Sequence, residues 1–235
     1  MRKWWMVSLI LSGIVLLQNV SPSVLQADSG AEIPVETAYI ALTFDDGPGR
    51  ETTARLLDGL NIRGASATFF LVGEQVVRYP DLVKRMKAEG HQVGNHTWSH
   101  MRLENEEADE VLWEVWQNEL LLEEILGGRG YWLRPPYGLI DPEVADKLLI
   151  PMVKWSVDPR DWESRNANKI VEAVLDDVRP GSIILLHDIY DSSVDAALRL
   201  VDELQAQGYW FVTVEELLRL NGITPQAGVL YRSAE

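Results

Sequence analysis

Short apolar segments alternate with longer amphipathic segments along most of the chain. The apolar segments are rich in β-branched and aromatic residues, a composition that favours β-strands. Seven of them are predicted as strands, at 39–44, 67–72, 91–95, 131–134, 151–157, 182–187 and 209–214.

The segments between these strands repeat their apolar residues with helical period. Helices are predicted at 51–60, 80–89, 106–126, 141–149, 167–178, 193–207 and 214–220. The longest has an apolar stripe expected to face the strands, formed by Val111, Leu112, Val115, Trp116, Leu120 and residues 121–125. Gly127 and Gly128 are expected to end this helix.

Alternation of helices with almost continuously apolar strands predicts a parallel sheet covered by helices. The fold class is therefore α/β. Seven units indicate a distorted (β/α) barrel with about seven parallel strands in a single domain, since eight strands close a regular barrel. Residues 28–38 are interpreted as a polar lead-in, and 221–235 as a loosely ordered C-terminal tail. Packing of both ends against the bottom of the barrel is the alternative.

The first 27 residues have the pattern of a secretory signal peptide. Arg2 and Lys3 precede the apolar residues 4–17, and a polar segment with small residues follows, with cleavage expected after Ala27. An uncleaved membrane anchor is the alternative, although the apolar run is shorter than the roughly 20 residues that span a bilayer. The chain has no cysteine, so the exported protein must be stabilised by its core or by metal. A secreted or cell-envelope location is expected.

The formal net charge is −15. An acidic surface repels phosphate backbones, and no basic cluster interrupts it, so nucleic acid is not expected as a partner. No stable protein partner is predicted either.

Polar residues follow five of the predicted strands, where the loops of a parallel barrel carry its functional groups. These loops read DDGP, NHTWSH, RPPYG, DPRDW and HD. His96 and His100 are four residues apart, a spacing that places both rings on one side of a helical turn. With one aspartate from Asp45 and Asp46 they would form a catalytic metal set, while the second aspartate acts as a base.

The other loops offer groups that would assist this base and supply an acid. Arg134 would orient the basic carboxylate, although an ordinary salt bridge between loops looks the same in sequence. His187 ends a buried strand and could serve as a general acid held by Asp161, with Asp188 as the rival partner. These loops also carry the aromatic residues Trp98, Tyr137 and Trp162. Their flat rings suit sugar faces, and ordinary loop packing is the alternative.

The five loop motifs together resemble those of the polysaccharide deacetylase family of carbohydrate esterases, including the chitooligosaccharide and peptidoglycan deacetylases. The resemblance covers residues 39–220, which would be the catalytic domain. TFDDGP is similar to the first motif and implies Asp45 as the base and Asp46 as a metal ligand. HTWSH resembles the second and implies His96 and His100 as the other ligands.

The remaining motifs imply the rest of the site. RPPYG resembles the third motif, with Arg134 positioning the base and the Tyr137 amide binding the oxyanion. DPRDW resembles the fourth, in which Asp161 adjusts the pKa of the acid and Trp162 forms one side of the substrate groove. LLH resembles the fifth, in which Leu185 lines the acetyl pocket and His187 is the acid.

The implied activity is metal-dependent removal of acetyl groups from N-acetylated sugars of a glycan, peptidoglycan or chitin-type oligomers, with release of acetate. The cofactor would be a divalent metal; zinc is expected, and cobalt, nickel, manganese and iron are alternatives. An O-acetyl xylan esterase or another metal-dependent amidase is the enzymatic alternative. A non-catalytic glycan-binding protein is the alternative of another class.

Overall fold

A computed structural model describes residues 38–234. The strands are β1 Ala38–Asp45, β2 Thr68–Leu71, β3 Gln92–Asn95, β4 Met152–Val153, β5 Ile183–His187, β6 Tyr209–Phe211 and β7 Leu230–Tyr231. The helices are α1 Thr52–Arg63, α2 Gly73–Arg78, α3 Pro80–Ala88, α4 Ala108–Leu126, α5 Pro142–Leu148, α6 Asp161–Ser164, α7 Ala167–Asp177, α8 Asp191–Ala206 and α9 Val214–Leu220. A short 3-10 turn covers Pro136–Gly138.

The central strand of the main sheet is β1. It pairs in parallel with β2 and β5 near its carboxyl end and with β6 at its start, and β3 continues the sheet beyond β2. Single-residue bridges extend the pairing through Leu133 to Met152, and through Val157 to Ile184 on β5. The α/β class and the distorted barrel are therefore confirmed, but regular strands do not close the barrel.

Three sequence predictions need correction. The strand predicted at 151–157 is regular only at Met152–Val153. The segment predicted at 131–134 contributes only Leu133, which bridges Asn95 and Met152. In contrast, part of the predicted loose tail is ordered, because β7 pairs in parallel with β4 and Ser233 bridges Ser182. The tail therefore supplies the second strand of a two-stranded sheet with β4, in which Leu230 and Tyr231 are the paired tail residues.

The predicted stripe on α4 is also partly wrong. Val111, Val115 and Leu122 are buried, but Trp116 and Leu120 are 56% and 59% exposed. The polar residues Glu114 and Asn118 lie on the buried face instead. The helix α4 therefore presents hydrogen-bonding groups to the interior.

Two short helices, α2 and α6, were not predicted, and the other helices lie within a few residues of their predicted bounds. Residues 1–37, which contain the predicted signal peptide and nearly all of the polar lead-in, lie outside the described part of the chain. Within residues 38–234, no helix has the length and apolar character needed to cross a membrane.

The sheet positions the site because its parallel strands end at one edge. The register aligns Asp45 at the end of β1 with His187 at the end of β5 and with Phe70 on β2. Phe70 in turn is aligned with Gly94, one residue before the end of β3. The loops that carry the predicted functional residues therefore start from adjacent strand ends.

Candidate active site

Three predicted metal ligands meet at this edge. One ligand atom from each of Asp46, His96 and His100 lies within 4.8 Å of the others. Asp46 Oδ1 is 3.6 Å from His96 Nε2 and 3.3 Å from His100 Nε2. The three atoms face one small space, as the ligands of a single ion would.

The polar atoms of this set fit a divalent cation. Asp46 Oδ1 is buried and has no hydrogen-bond partner within residues 38–234. His96 Nδ1 lies 2.6 Å from the carbonyl oxygen of Arg134, which can only accept, so Nδ1 carries the proton and Nε2 offers its lone pair. Burial, followed by the charge of His96, lowers the pKa of His100, which favours the neutral imidazole that a metal requires. Two imidazoles and one carboxylate are a set suited to zinc and other divalent transition metals.

The backbone that presents these ligands differs from the sequence expectation. Residues 96–100 do not form a helical turn; they form a loop in which Thr97 and His100 have left-handed φ angles of 67° and 64°. The two imidazole rings still meet edge to face, with centroids 4.9 Å apart. The helical-turn prediction was wrong, although the spacing does bring the rings together.

The paired aspartates also depart from simple strand alternation. Asp46 has a φ of 71°, so the chain turns at this residue. His96 Nε2 is 3.6 Å from Asp45 Oδ2 and 3.6 Å from Asp46 Oδ1, which shows that both carboxylates reach the same space. Gly47 is required next, because a Cβ atom there would lie 2.3 Å from Asp188 Oδ1.

Asp45 has a buried cationic partner. Arg134 is fully buried, and its Nη1 donates to Asp45 Oδ1 at 2.7 Å and to the Thr43 hydroxyl at 2.8 Å. Its Nη2 donates to the carbonyl oxygen of Lys154 at 2.9 Å. The guanidinium therefore holds one carboxylate oxygen of Asp45, while the other faces the metal set.

His187 is held by Asp161, as the sequence predicts. His187 Nδ1 is 2.8 Å from Asp161 Oδ1, and its backbone N–H donates to Asp161 Oδ2 at 2.8 Å. Burial opposes protonation of the ring, but the hydrogen bond and charge of Asp161, with the charges of Asp45 and Asp46, raise its pKa to about 9. The imidazole is therefore protonated at neutral pH, with Nε2 directed away from Asp161.

Asp188, the alternative partner of His187, binds elsewhere. It is fully buried and accepts a hydrogen bond from the Thr53 hydroxyl. Burial, together with the charge of Asp46, raises the pKa of Asp188 to about 7. Its second oxygen, Oδ1, has no hydrogen-bond partner within the described part of the chain.

A cavity of about 410 Å³ joins these groups. Its lining includes the predicted residues Asp45, Asp46, His96, His100, Tyr137, Trp162, Leu185 and His187. The other two predicted residues lie behind the lining: Asp161 is bonded to His187, and Arg134 is bonded to Asp45. All ten predicted site residues are thus brought to one place.

Sequence reasoning missed three lining residues, Trp155, Asp158 and Tyr190. Asp158 opens the DPRDW motif and Tyr190 follows HD by one residue, so their positions in loops after strands were the available signal. Trp98 is not among the lining residues. It is half-buried against Gly73, where an added Cβ would lie 2.6 Å from the indole ring.

One edge of the barrel brings together a two-histidine, one-carboxylate set, a second carboxylate and a third histidine. This combination is typical of one class of protein, the metal-dependent hydrolases. The family model described as polysaccharide deacetylase matches residues 32–149. The chain belongs to the polysaccharide deacetylase family.

Named relatives and solved structures are similar over most of the chain. Peptidoglycan-N-acetylmuramic acid deacetylase PdaC of Bacillus subtilis is 43% identical over 76% of this chain, which spans only 38% of that relative. A peptidoglycan-N-acetylglucosamine deacetylase of Bacillus cereus is 40% identical, with 80% of this chain and 92% of the relative covered. The structure of a family 4 acetyl xylan esterase from Clostridium thermocellum with a cobalt ion matches with a TM-score of 0.78 and 32% identity, covering 83% of this chain and 98% of that one.

Proposed function

We propose that the protein is a metal-dependent deacetylase that removes acetyl groups from N-acetylated sugars of a bacterial glycan and releases acetate. The observation that carries the proposal is the meeting of three sets at one cavity: Asp46 with two histidines, Asp45 with Arg134, and His187 with Asp161. The names of the relatives support an acetylated cell-wall glycan as substrate.

Asp46, His96 and His100 would hold the metal, and zinc is the ion we propose. When bound, a divalent metal polarises the acetyl carbonyl and lowers the pKa of water. Asp45 accepts the proton of the attacking water through the oxygen that Arg134 leaves free. Water adds to the acetyl carbon, and the amide N–H of Tyr137 stabilises the developing oxyanion.

His187 completes the reaction as the general acid. Because Asp161 occupies Nδ1, the proton available to substrate is on Nε2, which lies 4.0 Å from Asp46 Oδ2 inside the site. Transfer of this proton to the sugar nitrogen accompanies cleavage of the C–N bond, and acetate is released. Leu185 and the ring of Trp162 line the cavity where the acetyl group and the sugar would lie.

Acetate release tests this proposal. The protein is stripped of metal, reconstituted with zinc or cobalt, and assayed with peptidoglycan, N-acetylglucosamine oligomers and acetylxylan. We expect metal-dependent release from an N-acetylated glycan and none from Asp45→Asn, which should still bind metal. Release from acetylxylan alone would identify an esterase, and binding of glycan without any release would identify a binding protein. An active, metal-loaded Asp45→Asn variant would refute the role of the base.

We further propose that residues 1–27 direct export to the cell envelope or the medium, on the basis of the charged, apolar and small-residue pattern alone. Mass spectrometry of the N-terminus of protein recovered from the medium and the membrane fraction tests this. A mature chain that starts at Asp28 is expected; an intact N-terminus in the membrane fraction would support the anchor instead.

A further inference from the structure

Two polar residues lie on the buried face of α4, one helical turn apart. Glu114 is only 5% exposed, and Asn118 is fully buried. Burial of a carboxylate and an amide is costly unless they make hydrogen bonds, so the partners of these two side chains indicate why they are there.

Asn118 binds the start of the loop that carries the two histidine ligands. Its Nδ2 is 2.7 Å from the carbonyl oxygen of Leu71, 3.0 Å from that of Thr97, and 3.0 Å from Oδ1 of Asn95. The same Asn95 oxygen accepts the N–H of Thr97 at 2.8 Å. Asn118 therefore ties the residue directly after His96 to the ends of β2 and β3.

Glu114 binds the other end of this loop. Both of its carboxylate oxygens accept from Ser99, one from the backbone N–H at 2.8 Å and one from the hydroxyl at 2.8 Å. Ser99 is the residue directly before His100. No lysine or arginine within residues 38–234 forms an ion pair with Glu114, and the hydrogen bonds of its carboxylate come from Ser99 of this loop.

The loop needs external support because of its backbone. Thr97 and His100 both have positive φ angles, 67° and 64°, a region that is unfavourable for residues with a side chain. The two residues bonded to α4 are Thr97, which itself has a positive φ, and Ser99. They stand next to His96 and His100. The contacts from α4 therefore act at the points that fix the direction of each ligand.

We propose that Glu114 and Asn118 are positioning residues of the metal site, which hold residues 96–100 in the conformation that points both imidazoles at one ion. The proposal rests on the metal-dependent function proposed above. Loss of a group that orients metal ligands typically weakens metal binding by about 10- to 100-fold. We therefore expect substitution of either residue to weaken metal binding more than a substitution on α4 that only lowers the stability of the protein.

Titration of metal-free protein with Co²⁺ alone, followed by calorimetry and by the visible absorption of the bound ion, tests the proposal. We expect Glu114→Ala and Asn118→Ala each to raise the Kd for Co²⁺ by about 10- to 100-fold. Glu114→Gln keeps one acceptor for Ser99 and should weaken binding less. Leu122→Ala is the matched control, because Leu122 is buried on the same helix one turn beyond Asn118. It should lower the melting temperature and leave the Kd unchanged.

The outcomes separate this proposal from the proposed function. If the unaltered protein binds no Co²⁺, the metal site fails and both proposals fall. If it binds Co²⁺ and Glu114→Ala and Asn118→Ala bind within about twofold of it, only the positioning role is overturned. A Leu122→Ala variant that loses affinity as strongly would overturn it too. Should Glu114→Ala not fold, Ser99→Ala removes one of the same hydrogen bonds from the side of the loop and must weaken Co²⁺ binding.

Discussion

Replacement of Asp161 by Asn should make the activity depend on pH in a new way. Asp161 is fully buried and bound by the ring and backbone of His187, and by the Ser193 hydroxyl at 2.5 Å. Asn has the same shape but no charge, so the main group that favours the imidazolium form of His187 is lost. Burial, which lowers the pKa of His187, would then dominate.

The size of the effect follows from the pKa of His187. With a pKa of about 9, the ring is about 97% protonated at pH 7.5. If the pKa returns to the ordinary value of 6.5, the protonated fraction at pH 7.5 falls to about 9%. Because only the protonated ring can act as the acid, kcat/KM at pH 7.5 should fall by at least about tenfold.

The assay is the pH dependence of kcat/KM for acetate release by the metal-loaded protein. The alkaline limb should move from near pH 9 to below pH 6.5 in Asp161→Asn. Ser193→Ala is the control, since it removes one hydrogen bond to Asp161 but keeps the carboxylate, and should shift the limb less. An alkaline limb that stays near pH 9 in Asp161→Asn, or a loss of rate that is equal at every pH, would show that His187 is not the acid controlled by Asp161.

Two further variants test buried charges. Because the folded-state pKa of Asp188 is raised from 3.8 to about 7, its stability contribution is present below pH 3.8 and lost as pH rises to 7. In urea unfolding of metal-free protein, Asp188→Asn should therefore gain stability relative to the unaltered chain across this range, by up to about 4 kcal/mol; parallel pH profiles would contradict this. Arg134→Met leaves Asp45 buried without its cation and should lower the free energy of unfolding by about 3 to 5 kcal/mol, with loss of kcat. A free energy of unfolding within about 1 kcal/mol of the unaltered protein would argue against a structural ion pair.

The sequence predicts those strands and helices that depend on a local pattern of apolar residues. Strands β1 and β5 and helix α4 follow from runs of apolar residues or from helical period, and these elements lie where the pattern predicts them. The five loop motifs were identified because parallel strands deliver their loops to one edge. Fold class and the gathering of the site residues could therefore be predicted without coordinates.

Features that depend on distant residues were not predicted. Leu133 forms only isolated bridges, and β7 exists because β4 offers it an unpaired edge. Asn118 is buried because its acceptors come from residues 23 and 47 positions earlier in the chain. The left-handed backbone of His100 carries no sequence signal, since positive φ is usually a property of glycine. Such features are set by tertiary contacts, which periodicity does not report.

The four acidic side chains around the site differ in their partners, and this difference indicates which of them would need a metal. Asp45 is bound by Arg134, Asp161 is bound by the protonated ring of His187, and the raised pKa of Asp188 favours its neutral form. Asp46 has no such partner: its buried Oδ1 accepts no hydrogen bond from residues 38–234 and lies nearest to His96 and His100. A buried carboxylate oxygen without a hydrogen-bond donor is unfavourable, so Asp46 Oδ1 is the atom that a divalent metal would compensate. Asp45, whose Oδ1 is held by Arg134 and whose Oδ2 faces His96, would then be the base.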